Sequence, residues 1–170
     1  MSKPKVSYTD LEIAFSAQGP DYQNWLDKQT GEVICYENDI EDELLTGGDL
    51  SDLPKWQQEE VENARRVLRA LGDLPGEDGS EAIEPDRYVT IPQIETHDAY
   101  ETMVDFVETV RSDHLRELLS VALRGKGAFR RFKDVLLDYP AERERWFEFE
   151  SRRERETIEA WVKEQGLEIE

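Results

Sequence analysis

The C-terminal half of this 170-residue chain repeats one pattern, apolar residues at helical spacing punctuated by glycine and proline. Tyr100, Met103, Val104, Val107 and Val110 share one side of a helix for which Thr96 or Asp98 is the expected cap. Leu115, Leu118, Leu119 and Ala122 form a second stripe. A third helix starts just after Gly125-Lys126-Gly127 and stops at Tyr139-Pro140, because proline pushes its preceding residue out of the helical region. A final helix runs from about Ala141 to Gln165. Stripes of this kind need a common core to cover them, so packed helices must dominate this half.

The last helix is uneven. Trp146 and Phe149 lie near one end and Ile158, Trp161 and Val162 near the other, while "ESRRERET" between them has no apolar residue. Glu148/Arg152, Arg152/Glu156 and Arg155/Glu159 stand at i,i+4, each pair contributing about 0.3 kcal/mol. Such a helix bridges two parts of a molecule or holds its middle in water.

The N-terminal half alternates short elements. Ser7 to Ala17 reads as a helix with Leu11, Ala14 and Phe15 on one side, stopped by Gly19-Pro20. "YQNWLDKQTGEVICYE" has the form of a β-hairpin turning over Asp27–Gly31, with Gly31 suited to a left-handed position. The loop "ENDIEDELLTGGDLSD" follows with seven carboxylates. Ser51 or Asp52 then caps a helix with Pro54 in its first turn, an apolar stripe of Val61, Ala64, Leu68 and Leu71, and Gly72 at its end. Residues 72–86, "GDLPGEDGSEAIEPD", read as a flexible acidic linker, and Arg87–Pro92 as a short strand.

With 38% hydrophobic and 36% charged residues, disorder has to be considered, but the regular spacing of aromatic and aliphatic residues points to a folded, thin-cored domain. One domain is expected for 170 residues. The formal charge of −19 opposes general affinity for nucleic acid or anionic membrane. Within Arg111–Lys133 the sign reverses, with 7 cations against 2 anions. Cys35 stands alone, which excludes an internal disulfide and a cysteine-based metal site. No apolar leader begins the chain and no run approaches the roughly 18 apolar residues of a membrane span, so a soluble cytoplasmic protein is expected, without a membrane partner.

Catalytic motifs are absent. "GKGAF" lacks the long glycine-rich loop and the Lys-Ser/Thr pair of a phosphate loop, and no Gly-x-Ser-x-Gly elbow occurs. His97 and Glu101 stand at i,i+4 near Glu95, but the chain has two histidines and one cysteine in total, a poor supply for zinc. Asp39, Glu41 and Glu43 alternate like calcium ligands, yet Leu44 and Leu50 occupy the places of the EF-hand glycine and the twelfth-position carboxylate. Neither a metal nor a cofactor is expected, and no catalytic residues are assigned.

Two candidate binding regions remain. In the stretch "LRGKGAFRRFKDVLLDYP", Phe129, Phe132, Leu136 and Tyr139 make a core face. Lys126, Arg130 and Lys133 share one flank if the helix begins by Lys126, with Arg131 projecting from nearly the opposite side. Pairing of Lys126, Arg130 and Lys133 with carboxylates of the acidic N-terminal half is expected first, and the alternative is that Lys126, Arg130, Arg131 and Lys133 take a phosphate or nucleic-acid backbone. Asp39, Glu41, Asp42 and Glu43 form a weaker candidate for a basic protein partner.

The order of "WLDKQTGEVICYE", "RYVTIPQIETHDAYETMVDFVETV", "ALRGKGAFRRFKDVL" and "ERWFEFESRRERETIEAWVKEQG" resembles an uncharacterised bacterial protein family of the UPF series, over roughly residues 20–167. "GKGAFRRFKD" (Gly125–Asp134) and the aromatic cluster around Trp146 carry the resemblance. It implies a small bacterial cytoplasmic protein and brings no activity with it.

An α+β fold is expected, with the hairpin and the Arg87–Pro92 strand in a small antiparallel sheet under about five or six helices, and with Phe129, Phe132, Trp146, Phe149 and Trp161 substantially buried. The function expected first is a non-enzymatic binding or regulatory module for a protein partner. The alternatives are nucleic-acid-backbone or phosphorylated-ligand binding through residues 124–133, and mimicry of a nucleic acid by the acidic surface.

Overall fold

The computed structural model describes residues 2–16, 21–76 and 83–170, the side chains of 96 and 97 excepted. The expected stop at Gly19-Pro20, the centre of the 72–86 linker and the His97 side chain lie outside the described residues. The fold is α+β, with a three-stranded antiparallel sheet, a separate parallel strand pair and seven helices among the described residues. The residues gather into two compact units, Met1–Gln93 with Ile158–Glu170, and Ile94–Thr157.

In the first unit, β2 (Tyr22–Asp27) pairs with both β3 (Val33–Glu37) and β4 (Tyr88–Thr90). Register pairs Trp25 with Ile34 and Thr90, and Asp27 with Tyr88. Strand side chains alternate between faces, so the sheet serves two cores. Leu26, Val33 and Val89 go to one, beside Leu11, Ala14 and Phe15 of α1 (Tyr8–Ser16) and Ile158 and Val162. Trp25, Ile34, Tyr36 and Tyr88 go to the other, against Ala64, Val67 and Ala70 of α3 (Lys55–Leu71).

The hairpin closes as expected, with Gly31 at φ 81°. A Cβ there would fall 2.0 Å from the Lys5 carbonyl oxygen, so glycine also permits the approach of β1 (Lys5–Val6). That strand pairs in parallel with β5 (Glu168–Ile169). Two-residue strands have no periodicity to read, and these two were invisible in the sequence.

Two local expectations shift. Pro54 is the N-cap of α3 rather than a first-turn residue, because Asp49 Oδ1 accepts the Ser51 N–H at 2.9 Å and holds Ser51 in the preceding turn. The buried stripe of α3 runs through Val61, Ala64, Val67 and Ala70, leaving Leu68 and Leu71 half-buried.

The second unit packs α4 (Thr96–Glu108), α5 (Asp113–Ala122), α6 (Ala128–Leu137) and the part of α7 (Pro140–Glu164) that precedes Ile158. Its core joins Phe106, Leu115, Leu119, Phe132, Leu136 and Trp146. The Phe132 and Trp146 rings meet edge to face at 4.9 Å, and Phe106 meets Trp146 at 5.3 Å, the geometry that aromatic quadrupoles favour. Of the five aromatics expected inside, Phe132 and Trp146 are fully buried, while Phe129, Phe149 and Trp161 are partly so. No helix among the described residues is long and apolar enough to cross a membrane.

Candidate functional site

The α5–α6 corner is built from its turn outward. Ser112 caps α5, its hydroxyl accepting the Leu115 N–H at 3.3 Å. The chain leaves α5 at Leu123, whose carbonyl accepts the Tyr100 hydroxyl at 3.0 Å, and turns through Gly125 and Gly127 at φ 72° and 76°. Both glycines supply the left-handed conformation that L side chains avoid. A helix end leaves carbonyls without intrahelical partners. Arg131 reaches back to that helix end and to the turn after it: its Nε donates to Ala122 O at 3.1 Å, and its two terminal nitrogens donate to Lys126 O and Arg124 O. Arg131 is thus committed to its own backbone, which explains why it stands apart from the other cations.

The remaining cations point to solvent. Helix α6 begins at Ala128, after Gly127, so Lys126 belongs to the turn and does not extend the Arg130–Lys133 flank. Arg130 is 90% exposed and lies 3.9 Å from Asp134, itself 61% exposed, a pair worth little in water. Lys126 and Lys133 are exposed and pair with no described residue.

Beside this corner lies a groove of about 610 Å³ between the two helices. His114, Glu117, Leu118 and Val121 line it from α5, and Arg131, Asp134 and Val135 from α6. The α5 set is spaced i, i+3, i+4, i+7, one face of a helix, and it borders the buried set Leu115, Leu119 and Ala122, of which Ala122 also lines the groove. Leu118 is 38% exposed and Val121 51%. In the sequence, Leu118 reads as a core residue and Val121 goes unremarked. The available signal was that apolar residues of α5 span more of the helix than one stripe needs.

The second candidate region resolves into a short helix, α2 (Asp42–Leu45), inside the acidic loop. Asp39, Glu41, Asp42 and Glu43 are all exposed, and Asp42 and Glu43 occupy the first turn, where carboxylates complement the helix dipole. The loop is tied down by Arg65, 6% exposed, whose Nε donates to Leu44 O at 2.8 Å and whose Nη2 donates to Gly48 O at 3.0 Å. No group of three or more metal-ligating side chains occurs among the described residues. Burial, with Glu60 and Glu37 nearby, pushes the Cys35 thiol up, which keeps it a thiol at neutral pH.

Comparison with known proteins adds a family. A model of the uncharacterised protein family UPF0158 matches residues 77–169, taking in β4, α4 to α7 and β5. A UPF0158 protein of Pseudomonas aeruginosa is 29% identical over 84 residues, which is 49% of this chain and 55% of that protein. The chain therefore spans about half the length of that curated relative. No solved structure matches.

Proposed function

The chain belongs to the uncharacterised protein family UPF0158, and on that premise we propose that it is a non-enzymatic binding module for a protein partner. The α5–α6 groove receives an amphipathic segment of that partner. What supports this reading is the groove itself, an apolar floor of Leu118, Val121 and Val135 with Glu117 and Asp134 on facing helices. A helix that lays apolar anchors on the floor and basic residues beside the two carboxylates fits it in both chemistry and charge.

The test is capture from native extract with the intact chain as bait, beside Val121→Glu and Lys133→Ala. A protein should be retained by the parent and by Lys133→Ala, and lost with Val121→Glu. Recovery of only nucleic acid or a small metabolite by the parent protein overturns the reading.

One observation favours a second reading, binding of a phosphate backbone by Lys126, Arg130 and Lys133. These cations are exposed and, apart from the long contact to Asp134, pair with no described residue. Binding of this kind must weaken steeply with salt, and Lys126→Ala must lower it equally for all sequences. Absence of binding at low salt removes this reading.

A further inference from the structure

On the side of α5 that faces the groove, two exposed apolar residues stand between two charges of opposite sign. Leu118 is 38% exposed and Val121 51%. Glu117 stands just before them and Arg124 follows in the turn, both exposed and neither paired with a described residue. The other two charges of the segment are taken. Asp113 meets Arg116 at i,i+3, and Arg116 Nη1 also donates to Val110 O at 2.8 Å. Residues 113–124 hold two anions and two cations, Asp113 and Glu117 against Arg116 and Arg124, and carry no net charge.

A surface ordered in this way is complementary to itself. Two-fold symmetry brings the same patch of two copies together, so that what one residue gives the other copy it also receives. Two α5 helices laid antiparallel, with the axis between Leu118 and Val121, set Leu118 of each copy on Val121 of the other. Arg124 of one copy then falls opposite Leu115 of the other, two residues from Glu117, or about 3 Å along the helix. An arginine side chain spans that offset. Each helix start also comes to lie beside the other's end, so the two dipoles attract. A parallel arrangement would set Glu117 against Glu117 and Arg124 against Arg124, which opposes association.

The distribution of charge over the chain agrees. Of the total of −19, residues 1–93 and 158–170 carry −16 and residues 94–157 carry −3. Copies of so acidic a chain repel one another, and they do so least through the unit 94–157, at a face without net charge.

We propose that the partner seated on the α5–α6 groove is a second copy of this chain, docked through α5 in antiparallel two-fold symmetry. The proposal names the occupant of the groove and rests on the reading of that groove as a protein-docking site.

The experiment is sedimentation equilibrium of the full chain from about 10 to about 500 μM, a range that registers small and weak interfaces. The parent should associate to dimers, and Val121→Glu should weaken association by about tenfold or more. Glu117→Arg and Arg124→Glu should each weaken it as well, because each sets like charges against one another across the axis. An equimolar mixture of these two variants should dimerise as the parent does, since opposite charges then meet between unlike copies. Damage to the fold of either variant does not produce that rescue. The proposal is overturned if the parent stays monomeric throughout the range, or if Val121→Glu dimerises as the parent does. It is equally overturned if the mixture associates no better than the single variants. A monomeric parent that still retains another protein from extract, and loses it with Val121→Glu, removes the second copy and leaves the docking role of the groove standing.

Discussion

Asp27, with 0% of its surface exposed, stays charged because of what surrounds it. Burial pushes its carboxyl up, but the Arg87 guanidinium and the Gln29 N–H, which reaches Oδ1 at 2.9 Å, outweigh burial and hold it below the ordinary carboxylate value. A carboxyl with a lowered folded value stabilises the fold fully above the ordinary carboxylate range, and that contribution is lost as pH falls through the lowered value. Asp27→Asn should therefore cost roughly 2–4 kcal/mol at neutral pH, since it leaves a partly buried guanidinium short of its anion. The difference from the parent should shrink in acid below about pH 4, as urea unfolding at a series of pH values would show. A cost that stays constant with pH contradicts the assignment. In the sequence, Asp27 is legible as a turn residue and Arg87 as the start of a strand. Their pairing across 60 positions is not, because nothing local encodes which strand end meets which.

Among elements, the α5–α6 pair shows how one arginine can be structural within a run of binding-like cations. The spacing of Phe132 and Leu136 marks the buried face of α6, and Gly125-Lys126-Gly127 marks the break before it. Spacing sets Arg131 on the opposite side from Arg130 and Lys133 but does not show what it meets there, because its acceptors, Ala122 O at the end of α5 and Arg124 O and Lys126 O in the turn, lie outside α6. Arg131→Gln should lower stability by about 1–2 kcal/mol, the consequence of leaving the Ala122 carbonyl and two turn carbonyls without this donor. Lys126→Ala should change it by less than about 0.5 kcal/mol. Chemical denaturation of the two variants side by side checks this, and equal effects would place Arg131 with the free cations. Helix α7 follows a related logic. Its arginines lie over aromatic rings, Arg145 over Phe106 at 4.6 Å and Arg153 over Phe149 at 5.4 Å. Arg153 also meets Asp105 at 2.9 Å. The polar stretch between the two apolar ends thus covers hydrophobic surface as well as meeting water.

At the scale of the whole molecule, charge is divided as unevenly as structure. The unit 94–157 carries 12 Lys/Arg and 15 Asp/Glu, a net of −3, which leaves −16 of the total −19 for the other unit. Self-repulsion of that size opposes the compact state and is relieved by salt. Raising sodium chloride from about 0.01 to about 0.3 M shortens the screening length several-fold. The melting temperature should rise by about 2–4 °C in response, corresponding to roughly 1 kcal/mol. A fall would mean that ion pairs such as Arg87–Asp27 outweigh the general repulsion.

The sequence by itself determined the α+β class, the hairpin with its left-handed Gly31, the helical C-terminal half and the core role of Phe132 and Trp146. Each of these follows from local propensity or from a period of two or 3.6 residues, which a linear chain carries openly. The parallel pairing of β1 with β5, the fork of Arg87 onto Asp27, the backbone cap by Arg131 and the second apolar face of α5 were decided only by the tertiary structure. Each depends on which distant atoms share a neighbourhood, and that is set by how complete elements pack, not by any residue's immediate sequence.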